Sequence, residues 1–322
     1  MVISFEQLQH TLETILIKHN FSEQKAQLCA NIFAGNSRDG VHSHGLNRFP
    51  VFIQYVKDNV IDIAAEPEAL TSEGVIEHWD GHLAPGMYTA TLATKRAAVL
   101  AKKNGFGCVT VKNTNHWMRG GTYGWQAAEE DCIAICSTNT ISNMPPFGGS
   151  EPRLGNNPLV IAVPRKEGHV VLDMAISQFS YGKLQEYQLR GKQLPVPGGY
   201  DEQGNLTTDP KKIRESQRTL PIGYWKGSGL SIMLDLLVAG LSGGSSVAEI
   251  TARQKEYSLS QIFICIDAKN ISRSTINNII SFTKGNDPSI RYPGEHVLAT
   301  RKKSLEEGVI VNDEMWQQVQ ML

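Results

Sequence analysis

The stretch Asn104-Gly105-Phe106-Gly107-Cys108-Val109-Thr110-Val111-Lys112 decides which kind of α/β fold this chain can adopt. The alanine-rich run 89–103 predicts a helix, and Asn104-Gly105 is a good stop for it. Residues 108–112 predict a strand. A Rossmann module places its glycines after the strand, as GxGxxG opening a helix, with an acid about 20 residues further on. Here Gly105 and Gly107 come before the strand. Neither GxGxxG nor GxxxxGK(S/T) occurs in the chain. The expected class is therefore α/β, without a Rossmann module.

Upstream, the chain reads as helical. Ser4-Phe5-Glu6-Gln7 resembles a capping box, and Phe5, Leu8, Leu12, Ile15 and Leu16 follow a helical stripe. Ser22 starts a second helix, with Ala26, Cys29, Ala30 and Phe33 on one face and Gly35 as its stop. A third helix passes through Arg48, with Pro50 in its first turn and Phe49, Phe52 and Val56 buried.

Downstream of residue 65 the pattern is mixed. Strands are predicted over 132–137, 159–163, 169–174, 261–266 and 309–311. Helices are predicted over 123–130, 228–241, 274–283 and 296–306 and at the C-terminus. Segment 190–219, rich in Gly, Pro and charge, reads as a long exposed loop. The expected organisation is a helical part, 1–64, joined by 300–322, and an α/β cofactor- and substrate-binding part, 65–299.

Composition narrows the function classes. The chain has 322 residues, 41% of them hydrophobic, and a formal net charge of −1. No basic block marks a nucleic-acid partner. No apolar run approaches the roughly 20 residues that span a bilayer. The N-terminus lacks the basic start and apolar core of a signal peptide. The five cysteines are widely spaced, and Cys132 and Cys136 fall on one side of a strand. They read as buried free thiols of a reducing, cytoplasmic compartment.

The chemistry concentrates in Asp39-Gly-Val-His42-Ser43-His44-Gly-Leu-Asn-Arg48. Histidine titrates near neutrality and exchanges protons in reactions, and arginine grips a carboxylate through a planar fork. A proton donor beside a carboxylate clamp suits reduction of a keto acid. A solvated arginine beside a hydrogen-bonded histidine is the competing reading. His116, in Asn113-Thr-Asn-His-Trp-Met-Arg-Gly-Gly121, is the second candidate acid or substrate ligand. His42, His44 and His116 lack an HExxH pattern or a carboxylate-rich setting, so a metal is not expected. No GxSxG occurs to mark a catalytic serine. Gly227-Ser-Gly229, after Lys226, opens the apolar helix and suits a phosphate.

These motifs, in order, resemble a known family. Ser43-His44-Gly45, Asn115-His116, Gly155-Asn156-Asn157-Pro158, Asp173-Met174-Ala175, Lys226-Gly227 and Pro293-Gly294-Glu295 resemble the malate/L-lactate dehydrogenase family that lacks a Rossmann domain. The resemblance runs from Phe5 to the C-terminus. It implies a non-Rossmann NAD(P)-dependent fold and a cytoplasmic homodimer with its cleft near the subunit interface. The implied reaction is hydride transfer from NADH, with NADPH as the alternative, to a keto sugar acid. Malate, lactate, ureidoglycolate and cyclic imino acids are the runner-up substrates. A non-catalytic sugar-acid binding protein is the reading from another class.

In that scheme His44 is the general acid, and Ser43, Arg48, Asn115 and His116 bind substrate. Cofactor contacts fall at His169, Val170, Val171, Leu172, Asp173, Met174 and Ala175, at Trp225 and Lys226, and at Gly294, Glu295 and His296. Glu295 is expected to accept from a ribose hydroxyl, which favours NADH. One departure is visible, since relatives carry threonine where Asn156 stands.

Overall fold

A computed structural model describes residues 1–322, Glu73 by its backbone alone. In chain order its elements begin with β1 (Val2–Ile3), α1 (Phe5–Lys18), α2 (Glu23–Arg38) and α3 (Phe49–Lys57). Next come β2 (Glu68–Glu73), β3 (Ile76–Asp80), α4 (Gly86–Asn104), β4 (Phe106–Thr114) and α5 (Gly121–Glu129). They continue with β5 (Cys132–Thr138), β6 (Ser142–Met144), β7 (Leu154–Gly155), β8 (Leu159–Val163) and β9 (Val170–Met174). The remainder is α6 (Tyr181–Leu189), β10 (Gly199–Tyr200), β11 (Leu206–Thr207), α7 (Pro210–Ser216), α8 (Trp225–Ser242), α9 (Val247–Ala252), β12 (Leu259–Asp267), α10 (Arg273–Lys284), α11 (Glu295–Glu307), β13 (Val309–Ile310) and α12 (Asp313–Gln320).

The central sheet has seven strands in the order β2-β3-β4-β12-β5-β8-β9. Only β3 and β4 run parallel, joined through α4; every other neighbouring pair is antiparallel. A doubly wound dinucleotide fold needs a run of parallel strands, so this is the non-Rossmann α/β arrangement that the glycine order predicted. The two glycines have other duties. Gly105 ends α4 in the left-handed region, φ 87°, with its N–H on the Ala101 carbonyl. Gly107 lets β4 press against α4. A Cβ there would lie 2.6 Å from Leu100 Cβ and 2.8 Å from the Ala101 nitrogen, and would strike the Ala97 carbonyl.

The N-terminal helices form as their caps dictate. The Ser4 and Ser22 side chains accept from the Gln7 and Lys25 N–H groups. Leu8, Leu12, Leu16, Phe33, Phe49 and Ile53 are fully buried in one core, which Val309, Val311, Trp316 and Val319 complete from the C-terminus. β1 pairs with β13, so the two ends of the chain close this core together. A second core lies between the sheet and α4 and α5, built from their alanines, Trp117, Tyr123 and the inward faces of β4, β5, β8 and β12. Cys132, Cys136 and Cys265 belong to it, and all five cysteines are free and buried.

Two expectations are corrected. Gly35 does not stop α2, which continues to Arg38 and is closed by Gly40 at φ 82°. A mid-helix glycine costs only about 1 kcal/mol, and the last turn is kept because it buries Asn36 and Ser37. Segment 190–219 is not one exposed loop: it holds β10, β11 and α7 around a small core of Leu184, Leu194 and Ile213. The hairpin β2–β3 and the helices α6 and α9 went unpredicted, because their polar sequences carry little periodicity.

Gly107→Ala should lower stability by about 1–3 kcal/mol, the usual cost of overpacking. Urea unfolding would read it, and an unchanged midpoint would show that α4 and β4 have room to separate.

Candidate active site

Asn36 and Ser37, in the last turn of α2, shape the histidine loop. The Asn36 amide donates to the His44 carbonyl at 2.9 Å and accepts from the Thr122 hydroxyl at 2.9 Å. Ser37 Oγ accepts from the Leu46 N–H at 2.8 Å. Gly45 must be glycine, because a Cβ would lie 2.8 Å from the Ser37 nitrogen and overlap its hydroxyl. His42–His44 and Leu46–Arg48 therefore form two tight 3₁₀ turns before α3, where Pro50 sits in the first turn.

This loop meets the segment that follows β4. The rings of His44 and His116 stack, 5.7 Å between centroids and 15° from parallel. Ser43 Oγ is 3.0 Å from His44 Nδ1. His116 Nδ1 accepts from the Met118 N–H at 3.0 Å, so the neutral ring carries its proton on Nε2. Burial, then His116, Arg48 and Arg119, drive the pKa of His44 down to about 3. Burial, then Arg48, do the same to His116. Both rings are thus neutral in an electropositive setting.

Arg48 is half-buried and lines a small open-mouthed cavity with Val51, Phe52, Tyr55, Ile61, Asn115, His116 and Met118. No described ion pair ends on its guanidinium, unlike those of Arg38, Arg119 and Arg301. An arginine without a carboxylate beside two neutral histidines is arranged to receive an anion. Four of the five expected substrate-site residues, Ser43, His44, Arg48 and His116, therefore converge. Asn115, the fifth, lines the same cavity from a buried position. Its Nδ2 donates to the carbonyls of Val60, Leu83 and Ala84, while its buried Oδ1 has no hydrogen-bond partner among the described residues.

The expected cofactor residues divide into two groups. β9 is an edge strand of the sheet, so one row of its backbone groups has no neighbouring strand. Pro293-Gly294 abuts that edge, its carbonyl accepting from the Val171 N–H at 3.0 Å. Gly294, at φ 92°, begins α11, and a Cβ there would press on Trp125 at 3.2 Å. Trp125 is buried, and its Nε1 has no hydrogen-bond partner among the described residues. A free strand edge, a helix N-terminus and an orphaned donor fit an extended polar cofactor such as a dinucleotide. Asp173, on β9, accepts from the Gly121 N–H at 2.8 Å and lies 3.6 Å from Arg119 Nε, which links this edge to the histidines. Trp225 and Lys226 stand apart at the start of α8, with Pro221 bridged to Ser177 just beyond β9. Trp225 is 63% exposed, so it is not a core tryptophan.

Other cofactor candidates have different partners. Glu295 accepts from Lys284 with one oxygen and from the Tyr292 N–H with the other. It braces the turn before α11 and is not the free ribose acceptor that was expected. His169 Nδ1 accepts from the Arg165 N–H, and His296 is exposed beside Arg291. Asn156, where the resemblance led to the expectation of a threonine, accepts from the Thr140 hydroxyl at 3.0 Å, so a hydroxyl reaches the turn from another strand end. Among the described residues no group of three or more His, Cys, Asp or Glu is placed to hold a metal ion.

Sequence reasoning missed Asp39, Arg119 and Arg301. The Asp39 carboxylate, 6% exposed as a residue, receives Arg119 Nη1 at 2.9 Å, Arg301 Nη2 at 2.7 Å and Arg38 at 2.9 Å. Asp39 and Arg119 lay inside quoted motifs, but nothing in the sequence pairs them. Arg301, 262 residues away, gave no signal at all.

The profile of the family described as malate/L-lactate dehydrogenase matches residues 3–320. Proteins named 2,3-diketo-L-gulonate reductase from Citrobacter koseri and Klebsiella pneumoniae are each 44% identical to this chain, with all of both chains covered. Among solved structures, malate dehydrogenase from Entamoeba histolytica superposes with a TM-score of 0.93 at 26% identity, covering 100% of this chain and 96% of that one.

Burial raises the Asp39 pKa, but hydrogen bonds from Arg301 and the charges of Arg38, Arg301 and Arg119 bring it below the usual carboxylate value. A depressed folded pKa stabilises above the unfolded value of about 3.9, and the gain is lost as pH falls through the folded pKa. Asp39→Asn should therefore cost about 3–5 kcal/mol at pH 7, as when one partner of a buried ion pair is removed. The gap in melting temperature should narrow below pH 4. A gap independent of pH would mean that the carboxylate charge is not its source.

Proposed function

The chain belongs to the malate/L-lactate dehydrogenase family, and on that premise we propose that it reduces 2,3-diketo-L-gulonate to 3-dehydro-L-gulonate with NADH. The observation that carries this reading is the unpaired Arg48 beside the stacked His44 and His116 at one cavity. The keto group reduced in this reaction is the one next to the carboxylate. Seating that carboxylate on Arg48 brings the keto oxygen to the histidine pair.

Reduced nicotinamide, when bound, supplies the hydride. The residues of this chain do the rest. Arg48 orients the substrate by a two-point contact. His44 gives a proton to the oxygen that gains charge, a contribution of about 10²–10⁴-fold. The substrate carboxylate offsets the Arg48 charge that disfavours imidazolium at His44. Substrate binding and protonation of His44 thereby favour each other. Ser43, on Nδ1, fixes the ring orientation. The β9 edge, Gly294 and the Trp125 donor would hold the dinucleotide, with Lys226 available to a phosphate.

We also propose a homodimer built on α8. Trp225, Met233 and Leu236 are 61–63% exposed on this helix, and Leu230, Ile232, Leu237 and Leu241 add to the same apolar surface. A patch of this kind marks an interface. No described helix is long and apolar enough to cross a membrane. A second copy of α8 is the occupant that would also bring the Trp225 end of the cofactor region close to the subunit boundary. Five free buried thiols support a reducing, cytoplasmic setting. The place of such an enzyme is sugar-acid metabolism.

NADH oxidation should be fastest on 2,3-diketo-L-gulonate in a panel with pyruvate, oxaloacetate and a cyclic imino acid. His44→Asn should cut kcat by about 10²-fold. Fastest turnover on another panel member would transfer the reading to that substrate, and a fully active His44→Asn would move the acid role to His116. Leu236→Asp should convert a dimer to monomers in sedimentation; an unchanged assembly, or a wild-type monomer, would remove α8 as the interface.

A further inference from the structure

Glu256 is a buried carboxylate that the reduction scheme above does not use, and it sits at the back of the histidine pair. It lies in the turn between α9 and β12, where Gln254 and Ser258 both adopt the left-handed region at φ 57° and 55°. Backbone of that kind is held only where surrounding contacts enforce it. Ser258 Oγ is hydrogen-bonded to Asn113 Oδ1 at 3.1 Å, on the segment leading to His116, and Lys255 pairs outward with Asp58 at 3.0 Å. Glu256 is thereby turned inward, its side chain 15% exposed. One oxygen accepts from the Ile141 N–H at 3.1 Å, and the other lies 3.8 Å from His116 Nε2.

His116 Nδ1 is already occupied by the Met118 N–H, so the single ring proton sits on Nε2, the atom next to Glu256. The 3.8 Å separation is an ion-pair distance, longer than a hydrogen bond. Such contacts tighten when an active site fills. The charged and titratable groups facing His116 are Arg48 from the turn before α3, His44 from its own turn and Glu256, with Arg119 beyond His44. Among the described residues Glu256 is the one carboxylate within ion-pair reach of either stacked ring.

We propose that Glu256 is a positioning residue of the reduction site, orienting His116 through its Nε2–H and, by its charge, favouring the protonated form of His44. The proposal rests on the reading of His44 as the acid. The carboxylate opposes the charges of Arg48 and Arg119, which disfavour a proton on His44. Burial pushes the Glu256 carboxyl up against the opposing pull of Arg48 and the Ile141 N–H.

The test compares wild type, Glu256→Gln and Glu256→Asp. Removing the carboxylate disfavours imidazolium, so the alkaline limb of the kcat–pH profile should move about one unit lower in Glu256→Gln, with kcat down about tenfold. KM should change little, because Arg48 still meets the substrate carboxylate. Glu256→Asp should restore the position of the limb. A second readout needs no turnover. In protein labelled with ¹⁵N-histidine, the His116 Nε2–H resonance should move upfield and exchange faster with water in Glu256→Gln. An unmoved limb with an unmoved Nε2–H resonance overturns the proposal, even if Glu256→Gln lowers the melting temperature. If wild type turns over no keto acid, the reduction reading fails on its own, and an unchanged resonance then overturns the positioning role separately.

Discussion

One carboxylate joins three parts of this molecule that are remote in sequence. Asp39 caps α2 and receives the guanidinium groups of Arg38, Arg119 and Arg301. Arg119 comes from the loop after β4, and Arg301 from α11. The helical N-terminal part, the loop that leaves the sheet after β4 and α11 are fixed to one another at this point. Arg301 also lies 4.8 Å over the Trp125 ring, so the junction extends to the edge of the cofactor region. A buried ion cluster adds little net stability over apolar packing, but losing one member is costly. Its value here is geometric, because the histidine turn begins three residues after Asp39.

Electrostatics at the site follow from that junction. Arg119 is satisfied by Asp39, yet its charge still reaches His44. Arg48 adds a second positive group, on which no described ion pair ends. The result is a cavity that is neutral at its histidines and positive at its wall, a setting that selects an anion carrying a carbonyl. The apolar floor of Val51, Phe52 and Ile61 excludes water and strengthens those interactions.

Much of this was legible along the chain. The caps at Ser4 and Ser22, the α4–β4 boundary and the apolar stripe of α1 are local features, set by residues within a few positions of one another. Ser43, His44, Arg48 and His116 were recognisable because their residue types carry chemistry and their motifs resemble a family. Glu295 shows the limit. Its residue type suits ligand binding, but in the folded chain its two oxygens are engaged by Lys284 and the Tyr292 N–H.

The sequence by itself determined the class of fold and the kind of chemistry, because glycine order, helix caps and the Ser43–Arg48 run act over short stretches of chain. Tertiary structure alone decided which side chains are free to act. Asp39 finds Arg301 across 262 residues, and Glu256 comes from 140 residues downstream to face His116. Charge pairing acts through space, so the state of each histidine is set by groups whose distance along the chain carries no information about them.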